Sequence, residues 1–289
     1  MKLVSFKRAG RTSWGIAADG GVVDVGGRLS GRFPTMRSAL EADAIALIAQ
    51  DAKGAEVDLP WSAIALLPPI TDPDKIIGFG LNYREHVIES GQPIPQHPSV
   101  FLRLANTLVG HGAPLIVPRL SAQLDYEVEL AIVIGKAGRH VPAADALNYV
   151  AGYSCFNDAS VRDIQFTHSL TVGKNFPATG GFGPWVVTPD EIPDPGRLAV
   201  KTRVNGVEVQ NGNTDDLIFD VPAMVAYVSS FTSLAPGDVI ATGTPQGVGF
   251  ARKPPLWLKP DDVVEVEVEG AGVLRNPVIA ESFRASAPE

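Results

Sequence analysis

The chain has 289 residues, 45% of them hydrophobic and 19% charged, with a formal net charge of −8. This is the make-up of a folded protein large enough for one big core or two unequal domains, and it excludes a disordered chain. The acidic balance speaks against a surface built to gather nucleic-acid phosphates, and no apolar run reaches the roughly 18 residues that a membrane-spanning helix needs. Cys155 stands alone, so an internal disulfide and a thiolate metal cluster are both excluded. Residues 1–20 hold Lys7, Arg8, Arg11 and Asp19 and no secretion-type apolar run, so a cytoplasmic location is expected.

Leu3–Phe6, Thr12–Ala17 and Val22–Val25 read as short strands separated by Ala9-Gly10 and Asp19-Gly20-Gly21. Thr35 is placed to cap a helix from Met36 to about Asp51, with Ala39, Leu40, Ala44, Leu47 and Ile48 as its apolar stripe. Asp58-Leu59-Pro60-Trp61 reads as a turn. The stiff segment Leu67-Pro68-Pro69-Ile70 then divides a small N-terminal α/β module, residues 1–70, from a larger domain over 71–285. In that domain Ile76–Gly80 forms a strand, Tyr126–Ile134 is the clearest strand of all, and Ala143–Val150 suits two helical turns. Pro222 fits the first turn of a helix whose apolar face is Met224, Val225, Tyr227, Val228 and Phe231. A turn at Ala235–Asp238 leads into strand Val239–Ala241, and Val264–Glu269 alternates strictly. Many short strands, with helices too few for regular βαβ units, give an α+β fold with a mixed or antiparallel sheet.

The run Asp125-Tyr126-Glu127-Val128-Glu129-Leu130-Ala131-Ile132 carries the first chemical signal. On a strand Glu127 and Glu129 share a face, with side-chain origins about 6.5–7 Å apart. Apolar residues continue on both faces, so the strand is covered on both sides and neither carboxylate reaches bulk water easily. Two such carboxylates share a proton, pair with cations or bind a metal, and the pattern alone leaves these open. Glu265, Glu267 and Glu269 have the same spacing but form one wet face opposite valines. Asp158 and Asp163 each offer a third carboxylate, and position alone does not choose between them. Hard oxygens favour magnesium, manganese or calcium over zinc.

Several segments in order resemble the fumarylacetoacetate hydrolase family. They are Gly80-Leu81-Asn82-Tyr83-Arg84-Glu85-His86, the Asp125–Glu129 run, Gly152-Tyr153 leading to Asn157-Asp158, and Arg162-Asp163-Ile164-Gln165. Gly173-Lys174-Asn175-Phe176, Phe182-Gly183-Pro184-Trp185, Pro236–Pro245 and Leu274–Val278 complete the set, spanning about residues 74 to 280. The resemblance implies a β-rich roll of mixed strands assembled as a homodimer. It also implies Mg2+ or Mn2+, with Ca2+ as a substitute in crystals, held by Glu127, Glu129 and Asp158. The substrate it implies is a small 2-keto acid chelated through its keto and carboxylate oxygens.

By the same resemblance His86 and Glu89, one helical turn apart, form a water-activating pair on a short lid that needs ligand to close. Lys174 lies beside the metal, and Arg162, Gln165, Gly243 and Thr244 contact substrate. Arg84 and Arg103 are candidates for its far end. The chain departs from many relatives at Pro177, where they carry aspartate, and at Arg103, where they carry lysine. The leading expectation is hydrolysis of a C–C bond in an acylpyruvate or related 2,4-diketo acid. The alternatives are oxaloacetate decarboxylation, isomerisation or hydration of a 2-hydroxydienedioate, and a non-catalytic metal-stabilised binding protein.

Overall fold

Val128–Ile134, apolar at every position but Glu129, forms a central strand with all seven residues buried. The structure, a computed structural model, describes residues 1–29 and 31–282, so the expected domain end at 285 lies outside the described residues. Two sheets dominate, one of twelve strands and one of five. The path of the larger runs Leu59–Pro60, Gly21–Val23, Arg11–Ala18, Lys2–Arg8, Gly180–Val187, Val150–Asn157, Val128–Ile134, Val239–Ala241, Ile76–Gly80, Ser99–Leu102. Most pairs are antiparallel, but Val239–Ala241 runs parallel to Ile76–Gly80, and Gly272–Ala280 parallel to Leu115–Val117. The expected β-rich mixed-sheet α+β fold is present. Among the described residues no helix is long and apolar enough to cross a membrane.

Both faces of the central strand are covered, which explains why Leu130–Ile134 is apolar throughout. Val128, Leu130, Ile132 and Ile134 pack with Val264, Val266 and Val268 of the smaller sheet and with Met224, Val225 and Val228 of the helix Val221–Phe231. Ala131 and Val133 face the other way, into a cluster with Leu3, Trp14, Met36, Leu40, Ile48, Phe156 and Phe182. N-terminal residues thus cover the second face. Strand Lys2–Arg8 also pairs with Gly180–Val187, through Lys2↔Val187 and Leu3↔Val186, so the sheet runs across residue 70 without interruption.

Local chemistry shifts several expected elements. The helix foreseen from Met36 to Asp51 is two, Met36–Glu41 and Ile45–Asp51, with Asp43 at φ 50° between them. Aspartate tolerates the left-handed region better than bulky residues do, so it ends the first helix cheaply. Thr35 caps that helix as foreseen, in a reciprocal box with Ser38. Val25 opens a helical turn capped by Asp24 instead of ending a strand. Leu59–Pro60 pairs with Gly21–Val22 at the sheet edge, where proline's missing N–H costs no ladder bond. Phe231, counted in an apolar face, is 50% exposed at the end of its helix. In strand Val263–Val268 the valines at 264, 266 and 268 are buried, while Glu265 and Glu267 pair with Arg275 and Arg203 at the surface.

Candidate functional site

The central strand pairs with Val150–Asn157 in the register Val128↔Asn157 and Glu129↔Phe156. One step beyond the ladder, the Asp158 N–H donates to the Glu127 carbonyl at 3.0 Å, and the Glu127 N–H donates to Asn157 Oδ1 at 3.0 Å. Pairing register therefore carries Asp158 to the glutamates. Carboxylate oxygens of Glu127, Glu129 and Asp158 lie within 4.8 Å of one another, and all three residues are buried. Glu127 stands just ahead of the strand, which begins at Val128. Asp163 is turned elsewhere, accepting from the Ser121 hydroxyl at 2.6 Å and from the Ile164 N–H at 2.9 Å.

Three buried cations surround the acids. Arg162 donates from Nε to Asp125 (2.8 Å), from Nη2 to Glu127 (2.5 Å) and from Nη1 to Gln165 Oε1 (3.0 Å). Lys174 Nζ donates to the carboxylates of Glu127 and Asp158, and to the Asp158 carbonyl at 3.0 Å. Arg103 also donates to the Asp158 carboxylate. Its remaining bonds go to Ala159 O (3.1 Å), Thr107 Oγ1 (2.9 Å) and Thr179 Oγ1 (3.0 Å).

Glu129 is different. Its carboxylate accepts the Gly243 N–H at 2.9 Å, and no cation forms an ion pair with it among the described residues. Burial, and then the negative charges of Asp158 and Glu127, raise its pKa well above the ordinary carboxylate range. Burial opposes the charge on Glu127 too, but Arg162 and Lys174 outweigh it and bring that carboxyl down to about 2. Four buried acids, counting Asp125, thus face three buried cations. The surplus negative charge, offered as hard oxygens in one cluster, fits a divalent cation.

His86 lies on the short helix Arg84–Glu89 and is 6% exposed. Its Nδ1 is 3.4 Å from Glu89 Oε2, while the Glu89 carboxylate accepts the Gly247 N–H at 3.0 and 3.1 Å. The helix is therefore tied down to the 243–250 loop, with His86 facing the same pocket as the acids. Both line one pocket of about 300 Å³, with Arg162, Gln165, Lys174 and Thr244. Phe250 packs edge-on to His86 at 6.5 Å and under the Arg162 guanidinium at 4.6 Å. Thr244 Oγ1 accepts from Gln210 Nε2 at 2.9 Å, which leaves its own proton free to point at a ligand.

Three expected substrate contacts are placed otherwise. Arg103 stands behind Asp158 and outside the pocket wall, because a guanidinium with four buried partners is committed to the scaffold. Arg84 is exposed on the outer face of its helix and does not line the pocket. Gly243 spends its N–H on Glu129; it holds φ 90°, and a Cβ there would meet the Phe79 carbonyl at 2.9 Å, so only glycine fits. Sequence reasoning missed Asp125 as a partner for Arg162, although it belongs to the same acidic run. It also missed Phe250, which no local pattern marks.

Residues 75–279 match the family model described as fumarylacetoacetate (FAA) hydrolase C-terminal. The chain belongs to the fumarylacetoacetate hydrolase family. It is 40% identical over 290 residues to a Xenopus laevis protein named oxaloacetate tautomerase, mitochondrial, covering 96% of this chain and 90% of that one. Among solved structures, the fumarylacetoacetate hydrolase of Exiguobacterium antarcticum is 35% identical with a TM-score of 0.81, covering 97% of this chain and all of that one. Maleylpyruvate hydrolase from Sphingobium sp. SYK-6, solved with manganese(II) and pyruvate, is 29% identical with a TM-score of 0.82, covering 98% of this chain and all of that one. The chain is a catalytic family member with a metal-associated site, in which the buried acids Glu127, Glu129 and Asp158 are able to hold a divalent ion, suited to isomerase, tautomerase or hydrolase chemistry on keto acids.

Proposed function

We propose that the protein moves a proton at the carbon beside the keto group of a small 2-keto acid, interconverting its keto and enol forms, with Mg2+ or Mn2+ on Glu127, Glu129 and Asp158. The observation that supports this most is the near full-length similarity to a protein named oxaloacetate tautomerase, together with a histidine in the same pocket as the acids. A divalent ion held by Glu127, Glu129 and Asp158 would supply Lewis acidity toward a 2-keto oxygen and so acidify the adjacent carbon. His86 takes the proton from that carbon and delivers it to the enolate oxygen, in the reverse direction carrying it from the enol oxygen back to carbon, and Glu89 supports the imidazolium formed between the two transfers. Lys174, already against Glu127 and Asp158, places its ammonium where negative charge grows on the substrate oxygen. The Thr244 hydroxyl and Gln165 orient the carboxylate end, and Phe101, Phe166 and Phe250 keep water from the carbon.

C–C hydrolysis, the leading expectation from sequence, becomes the second reading. It draws on the likeness to maleylpyruvate hydrolase and on the capacity of a His–Glu pair to activate water. The test follows enol oxaloacetate by its absorbance while pyruvate release is measured in parallel. Magnesium-loaded protein is expected to speed ketonisation, and His86→Ala to lower kcat roughly 10²–10⁴-fold with metal affinity unchanged. A His86→Ala protein that ketonises at the parental rate would overturn the proton-transfer role, and fast pyruvate release from an acylpyruvate without ketonisation would put hydrolysis first.

A further inference from the structure

The pocket changes character from its floor to its rim. Glu127, Glu129 and Asp158 are 4% exposed or less, whereas Phe166, in the same wall, is 62% exposed. Leu81, Phe101, Leu170 and Phe250 line the pocket as well. The rings run on from the histidine: Phe250 stands edge-on to His86, and Phe166 edge-on to Phe250 at 5.4 Å. An aromatic ring left more than half bare at a pocket rim gains when an apolar group covers it, and more when that group is itself a ring.

Among the described residues, no cation in that wall is left for a second carboxylate on the ligand. Lys174 commits its ammonium to the carboxylates of Glu127 and Asp158 and to the Asp158 carbonyl. Arg162 is ion-paired with Asp125 and Glu127 and bonded to Gln165, and Phe250 covers its guanidinium at 4.6 Å. Arg103 and Arg84 lie outside the lining. Four buried acids against three buried cations leave one negative charge. A divalent ion turns this into one positive charge, which a single ligand carboxylate cancels. A second carboxylate would be brought among apolar side chains without a counter-charge, which is unfavourable compared with a chain ending in carbon.

From this we infer that the preferred substrate is a 2-keto acid with one carboxylate and an apolar, best aromatic, group on the carbon beside the keto group, and that Phe166 selects it. The inference rests on the proton-transfer reading above, which puts that carbon at His86. A group attached there meets Phe250 and then Phe166.

The experiment compares, on the full magnesium-loaded chain, three 2-keto acids that carry phenyl, para-carboxyphenyl or methyl on that carbon. Calorimetric dissociation constants are expected to favour the phenyl acid over each of the others by about tenfold. Phe166→Ala should lower the phenyl-to-methyl ratio at least about threefold, and Phe166→Leu, which keeps an apolar side chain, should hold most of it. Phe166→Lys, which adds a cation at the rim, should turn the preference toward the para-carboxyphenyl acid. A parent that binds the para-carboxyphenyl acid as tightly as the phenyl acid would overturn the assignment, and so would a Phe166→Ala protein with an unchanged phenyl-to-methyl ratio. Failure to move the proton in any of the three acids would count against the proposed reaction, while the binding ratios still decide the substrate class.

Discussion

Glu129 lacks the cation that each neighbouring carboxylate has, and its raised pKa has a measurable consequence. A carboxyl whose pKa in the folded protein stands above its ordinary 4.5 contributes stability that is full below that value and is lost as pH rises through the folded pKa. At neutral pH the metal-free protein therefore bears the cost of burying the Glu129 carboxyl beside Asp158 and Glu127. Glu129→Gln removes it. In chelator at pH 7 the variant is expected to melt a few degrees above the parent, and added Mn2+ should no longer raise its Tm. A lower melting temperature in chelator would contradict the surplus-charge account. Asp158→Asn is expected to weaken Mn2+ binding at least about tenfold by calorimetry, while Asp163→Asn, bonded to Ser121 and its own helix, should leave it unchanged.

At the scale of elements, the central strand depends on cover from both sides. Ile132 is fully buried between the sheets, and Ile132→Ala should cost about 2–5 kcal/mol in denaturant unfolding. Residues 1–70, carried here as a proposed N-terminal domain, supply Leu3, Trp14, Met36 and Leu40 to the cluster around Ala131 and Val133. Removing them would bare that cluster and the edge of Gly180–Val187. A chain starting at residue 71 is expected to aggregate, and the whole chain to unfold in one calorimetric transition; two well-separated transitions would contradict this. The sequence made the central strand and its two glutamates legible because a period of two is fixed by the backbone. It left Asp158 and Asp163 unresolved from spacing because strand register depends on a partner far along the chain. It placed Arg103 at substrate, since nothing local tells whether an arginine points into a pocket or behind its wall. The break at Asp43 was hidden because the apolar stripe continues on both sides of it.

For the whole molecule, the homodimer that the family resemblance implies stays a proposal, and the edge strand Ser99–Leu102 offers it a surface. Leu102 and Leu104 are 58% and 57% exposed there, beside the strand that closes one end of the larger sheet. Charge substitution at both, Leu102→Glu with Leu104→Glu, is expected to give a monomer by sedimentation if that edge is the interface. The reaction itself is tested most directly by NMR in D2O, following the hydrogens beside the keto group of a 2-keto acid whose spontaneous exchange is slow. Magnesium-loaded protein is predicted to exchange them for deuterium far above background, and both chelator and His86→Ala to abolish the effect. Exchange at the background rate, in protein that binds the metal and the acid, would contradict proton transfer as the work of this site.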